Sequence, residues 1–195
     1  MTGRIRNRHT CPSGTTPETG TWAIDPAHTA VSFSARHLMA AKVRGGFRTF
    51  SGTITIGDTP EASSVDVTID AASIDTGVED RDNHLRSPDF LDVTAYQALT
   101  FRSTAVRSVG DGYEVDGELT IRNTTRPITL TMEYLGLATD PWGNEKALFS
   151  AGTTLDRESW GLTWNQALET GGWLVGKSVT LDLEVQASRV TPEAQ

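Results

Sequence analysis

Residues 113–134 read YEVDGELTIRNTTRPITLTMEY, and their spacing decides the fold. Tyr113, Val115, Gly117, Leu119 and Ile121 take every second position, against Glu114, Asp116, Glu118 and Thr120. Asn123, Thr124 and Thr125 match a glycosylation sequon, but they read as a turn, and beyond them Ile128, Leu130, Met132 and Tyr134 resume the scheme. Successive side chains on a strand point to opposite faces, so period two describes strands with one face buried and one wet.

The same alternation runs outward in both directions. Val31, Phe33, Ala35 and His37 share a phase, as do Phe50, Gly52, Ile54 and Ile56. So do Val65, Val67, Ile69 and Ala71, then Leu99, Phe101, Ser103 and Ala105, and finally Val179, Leu181, Leu183 and Val185. With further strands near residues 22–25 and 147–152, eight or nine strands are expected. Gly57-Asp58-Thr59-Pro60, Gly110-Asp111-Gly112 and the stretch 140–144 supply turn chemistry between them. Short antiparallel links with one apolar face define a sandwich or an up-and-down barrel.

Two segments interrupt the pattern. In residues 76–96, Thr76 and Glu79 are spaced as a capping box, and Ser87-Pro88 ends one short helix and starts another. Residues 155–177 are glycine-rich and hold Trp160, Trp164 and Trp173, which suits a loop at a rim.

A chain of 195 residues suits one domain, expected over residues 21–188, with a disordered tail over 1–20 and a short tail over 189–195. The net charge of -8 argues against a nucleic-acid partner, and Arg4, Arg6 and Arg8 read as part of a solvated tail. Cys11 is the single cysteine, which excludes an internal disulfide and any cysteine-rich zinc site. The first 20 residues lack the apolar run of a signal peptide, and no stretch has the roughly 18 apolar residues of a membrane span. A cytoplasmic protein that does not span a membrane is therefore expected.

Eight strands are the number at which a barrel is either filled by side chains or left open for one ligand. Gly52, Ala35, Ala71, Ser103, Ala105 and Gly117 fall in the inward phase, which suggests an underfilled interior. The same small residues could instead let the sheet coil tightly around a filled core.

Several blocks resemble the YceI-like family. Trp22-Ala23-Ile24-Asp25-Pro26-Ala27-His28-Thr29 and Gly46-Phe47-Arg48-Thr49-Phe50-Ser51-Gly52 are similar to its opening. Ser73-Ile74-Asp75-Thr76, followed by Arg81-Asp82-Asn83-His84-Leu85-Arg86-Ser87-Pro88-Asp89-Phe90, resembles its most distinctive block. Gly117-Glu118-Leu119-Thr120-Ile121 and Arg157-Glu158-Ser159-Trp160-Gly161 resemble later ones. Tyr96-Gln97 stands where a tyrosine-proline pair is common, and Leu91 where an aromatic often sits. The resemblance implies a lipocalin-like barrel, so that with the strand pattern the expected fold is an all-β, eight-stranded antiparallel barrel, one end covered by the short helical insertion read in residues 76–96. It also implies a hydrophobic cavity for a polyisoprenoid or similar long-chain amphiphile, a homodimer, and no catalysis.

The expected wall and rim residues are Phe33, Phe47, Phe50, Leu85, Phe90 and Phe101, with Leu119, Ile121, Met132, Trp160 and Trp164. On a helix over 78–86, Arg81 and Asp82 flank the stripe of Val78 and Leu85, either as a polar gate for a head group or as an ion pair closing the barrel. His37 shares the apolar phase of its strand and needs a partner, for which His84 on the covering helix is the candidate. With only His9 and His28 besides these, no metal site and no cofactor are expected.

Three functions compete. The first is a carrier or reservoir for a polyprenol, a quinone precursor or another amphiphile, which needs only a cavity. The second is a barrel enzyme using His37, Asp82 and His84 for acid-base chemistry, although the sequence has no nucleophile elbow, phosphate loop or metal motif. The third is a ligand-free interaction domain, which predicts a filled barrel.

Overall fold

A computed structural model of the chain describes residues 18–38, 41–169 and 173–190. Most of the two expected tails, with Arg4, Arg6, Arg8, His9 and Cys11, lies outside the described residues. The first strand opens at Gly20 and the last ends at Arg189, one residue beyond each expected domain boundary.

Eleven strand segments form one antiparallel sheet: β1 (Gly20–Ile24), β2 (Ala30–His37), β3 (Ala41–Phe47), β4 (Phe50–Ile56), β5 (Ser64–Asp70), β6 (Ile74–Asp75), β7 (Ala98–Val109), β8 (Gly112–Ile121), β9 (Thr124–Thr139), β10 (Glu145–Asp156) and β11 (Val175–Arg189). The sheet closes because β1 pairs with both β4 and β11. The first three strands of the barrel are each broken once. β2 continues β1 along the same edge of β11, β3 pairs with β2, and β6 pairs with β3. Joining β1 to β2, β3 to β4 and β5 to β6 gives an eight-stranded up-and-down barrel. The breaks lie side by side: Arg48 N–H donates to the Ser73 carbonyl at 3.1 Å, and Asp70 N–H to the Thr49 carbonyl at 2.9 Å. Sequence periodicity finds the strands but not this shared bend.

The quoted stretch behaves as its period demands. Val115, Leu119 and Ile121 are buried on the inner face, with Val115 paired to Leu130 and Gly117 to Ile128. Ala105 does not follow its phase. A bulge between Ser103 and Ala105 sets Ala105 opposite Asp116 and gives the inward place to Val106, which is buried and faces Val115.

The insertion covers one barrel end, with a helix shorter than the pattern suggests. Helix α1 (Glu79–Arg86) has no side-chain cap, because the Thr76 hydroxyl donates to Asp82 at 2.5 Å instead of closing a capping box. No second helix follows Pro88. Leu91 N–H reaches back to the Leu85 carbonyl, and Asp92 turns through a left-handed φ of 48°. These tight turns let Phe90 and Leu91, adjacent in sequence, both be buried, whereas a helix would set them about 100° apart.

Candidate functional site

The barrel interior holds a cavity of about 270 Å³ whose accessible wall is wholly apolar. It runs from Ile24, Phe149 and Val185 to Leu85, Arg157 and Leu162 under α1. Beyond Ile24, the fully buried Trp22 fills the far end and packs with Ala147 and Ala187. The Trp22 indole N–H finds the Glu18 carbonyl at 3.2 Å. Core truncations that leave a closed apolar void cost about 24 cal/mol per Å³, so a cavity of this size sets the interior well apart from a filled core.

Ten of the expected residues line this space. Phe33, Phe47 and Phe50 come from the first strands, Phe101, Leu119, Ile121 and Met132 from the middle of the barrel, and Leu85, Phe90 and Trp160 from the covering segments. Trp160 is core rather than rim: it is buried, and its indole N–H donates to the Leu119 carbonyl at 3.0 Å.

The space has a different origin from the one expected. Of the six small residues expected inside, Ala35 lines the cavity and the other five do not. A Cβ on Gly117 would lie 2.4 Å from the Phe101 ring, and one on Gly52 2.8 Å from Ile24 Cδ1, so both glycines are sockets for large side chains. Ala71 is 1% exposed within the core, and the Ser103 hydroxyl accepts from Val65 N–H at 2.7 Å.

The polar candidates are not on the wall. The buried Asp82 carboxylate accepts from Thr76 N–H at 2.8 Å and from the Thr76 hydroxyl, while Arg81 Nε donates to that hydroxyl at 2.7 Å and its Nη2 to the Thr76 carbonyl at 3.1 Å. Arg81 and Asp82 thus both grip Thr76 rather than forming an ion pair or a gate. His37 is half-buried at the end of β2, between Val175 and Ala41, and does not meet His84. His84 sits against Asp89 at 3.0 Å, with its ring edge-on to Trp164 at 4.4 Å and Phe90 at 5.1 Å. Trp164 therefore braces the cap from behind Phe90. Among the described residues, no group of three His, Cys, Asp or Glu could hold a metal, and no helix is long and apolar enough to cross a membrane.

Sequence reasoning missed Arg86 and Arg157. Arg86 ties α1 to the wall through the Ala72 carbonyl at 2.8 Å and the Ile74 carbonyl at 2.6 Å. Arg157 is a wall residue only 5% exposed, and burial pushes its guanidinium pKa below the ordinary value, against the pull of Glu158 and Asp156. The signal for it was a charged residue near Trp160 in a loop expected at a rim.

A closed, up-and-down barrel of eight strands around a wholly apolar cavity, capped by one short helix, defines a class of lipocalin-like proteins. The sequence matches the YceI-like domain over residues 22–187, and the chain belongs to that family. It is 42% identical to the protein YceI of Shigella flexneri over 125 residues, a segment spanning 64% of this chain and 65% of that protein, just under two thirds of its length. Its fold is that of Burkholderia cenocepacia BcnA, with a TM-score of 0.71 at 22% identity, covering 84% of this chain and 98% of that one. A polyisoprenoid-binding domain from Saccharophagus degradans shares the fold at 14% identity, with a TM-score of 0.64 over 87% of this chain and 98% of that one.

Proposed function

We propose that the protein binds one long-chain apolar or amphiphilic lipid, of the polyisoprenoid or quinone-precursor class, inside the barrel for storage, sequestration or transport. The observation that carries this reading is the cavity inside the barrel, with no polar surface on its wall. At about 270 Å³ it approaches the roughly 300 Å³ at which small-molecule pockets begin. A ligand-free interaction domain would fill that volume with its own side chains. The polyisoprenoid-binding domain of Saccharophagus degradans, which has the same fold, supports the ligand class.

Binding rather than catalysis is the role this site supports. Of the three groups named for acid-base chemistry, Asp82 is engaged with Thr76 and His84 with Asp89, and none of the three, His37 included, lies on the cavity wall. The test is thermal unfolding of delipidated protein with added geranylgeraniol. A ligand that binds only the folded state at a hundred times its Kd stabilises by about 2.7 kcal/mol. For a domain of this size that raises Tm by about 5–11 °C. No shift with prenols of any chain length would overturn the proposal.

A further inference from the structure

Residues 26–57 contain no Asp or Glu but four cations, Arg36, Lys42, Arg44 and Arg48, in a chain whose net charge is -8. Arg48 pairs with Asp75 at 2.7 Å, whereas among the described residues no carboxylate pairs with Arg36, Lys42 or Arg44. Lys42 stands directly opposite Arg36 in the ladder, and Arg44 opposite Ser34. Phe33 and Ala35 take the cavity side of β2, so the three cations share the outer face of the β2–β3 hairpin, and all are exposed. Like charges set opposite one another destabilise a sheet, so the arrangement is not there for stability. At the turn of the same hairpin Leu38 is 49% exposed, and on the adjoining loop Trp173 is 53% exposed. The Leu38 N–H donates to the Leu174 carbonyl at 2.9 Å and sets the two loops side by side. Glu169 is the one acidic residue in the loop over residues 161–174. Cations on an unpaired strand edge, such as residues 41–45, ordinarily guard against sheet-to-sheet pairing, but a guard has no use for exposed apolar side chains beside it. Trp142, more exposed still, is flanked by Asp140 and Glu145 and lacks this combination.

We propose that this edge docks the protein on the surface of an anionic lipid bilayer. The three cations meet the phosphate-bearing head groups, and Leu38 and Trp173 enter the interfacial layer, where tryptophan is favoured. A soluble polyanion would satisfy the cations and leave both apolar side chains in water. The cavity wall reaches this edge, since Ala35 adjoins Arg36 and Val175 pairs with His37. The inference goes beyond the lipid-binding reading and gives it a source for the lipid.

The experiment is flotation of the full chain with vesicles of equal parts phosphatidylglycerol and phosphatidylcholine, and with vesicles of phosphatidylcholine alone, neither containing a prenol. Wild type should float with the first and not with the second, and should be released as salt rises. A Lys or Arg near an anionic surface is worth about fivefold in affinity, so Lys42→Gln combined with Arg44→Gln should weaken binding about twenty-fivefold. Leu38→Asn should weaken it as well, and asparagine suits the φ of 51° at that position. None of the three side chains lines the cavity, so these variants should take up dispersed geranylgeraniol as wild type does. Arg102→Gln, which removes an exposed cation from β7, should leave flotation unchanged. No flotation with the anionic vesicles, equal flotation with the neutral ones, or an equal loss from Arg102→Gln overturns the inference and leaves the lipid-binding reading standing. Binding of polyphosphate as tight as that of the vesicles, and indifferent to Leu38→Asn, would assign the cations to a soluble polyanion and overturn it too. So would a dimer that the charge variants dissociate in sedimentation, without vesicle binding. Flotation by a wild type that takes up no geranylgeraniol would sustain the docking edge and count against the lipid-binding reading alone.

Discussion

Replacing Gly117 by alanine adds one methyl group at a place where the structure has no room for it. The new Cβ would lie 2.4 Å from Phe101 Cζ, 2.5 Å from Cε2 and 2.7 Å from the Arg102 carbonyl oxygen. Ordinary carbon contacts are about 3.5–4.0 Å, so the ring must retreat by about 1.1–1.6 Å. The carbonyl belongs to β7, paired to β8 on both sides of the contact, and cannot yield independently. The open space available to the ring is the cavity, which Phe101 already lines. Overpacking of this kind costs about 1–3 kcal/mol, and a midpoint of about 2 kcal/mol lowers Tm by about 4–8 °C. Because the ring moves into the ligand's volume, uptake of geranylgeraniol should fall as well. Adding Phe101→Leu, which removes the clashing atoms, should restore part of both. Thermal unfolding and ligand titration on the two variants make the test. A Gly117→Ala protein as stable as wild type, with unchanged uptake, would show that the glycine is not a socket for Phe101.

Ala35→Phe places a ring in the cavity itself, so it should abolish lipid uptake while far-ultraviolet circular dichroism stays that of the barrel; undiminished uptake would contradict the assigned wall. Trp160→Phe removes the buried hydrogen bond to the Leu119 carbonyl and should lower stability by about 1–3 kcal/mol in urea unfolding, whereas an unchanged midpoint would deny that bond a role. The Asp116 carboxyl is held below its ordinary pKa by Arg107 and then by the Thr129 hydroxyl. Its contribution is therefore full at neutral pH, fades as pH falls below the unfolded value near about 3.9, and is gone below the folded one. Asp116→Asn should accordingly be less stable than wild type at neutral pH, with the gap closing on acidification, and a gap constant with pH would refute this.

What the sequence made legible is what period two encodes. Val115, Leu119, Leu130 and Met132 could be placed inside from their spacing alone, because a slip of one residue would turn all of them to water. Ala105 could not, since a bulge changes the phase without leaving a mark in a run of small residues such as Ser103-Thr104-Ala105. Gly52 and Gly117 were ambiguous for a related reason. A missing side chain leaves either a hole or a socket, and only the position of Phe101 or Ile24 decides which. At the covered end the chemistry is tertiary. Thr76 answers both Arg81 and Asp82, and Trp164 finds His84 across 80 residues of chain, so neither partner could be read from helix spacing. Arg157 was passed over because its burial, with its Nε and Nη1 on the Gly176 and Leu162 carbonyls, is a property of the folded molecule.

The central claim, that the barrel interior receives an apolar chain, is tested most directly by crystallising the protein with a terminally brominated hexadecanol and locating the bromine by anomalous scattering. The account predicts bromine density inside the barrel, within contact of wall residues such as Phe101, Met132 and Phe149, with Trp22 still closing the far end. Bromine found only on the outer surface, with the interior unaltered, would contradict it.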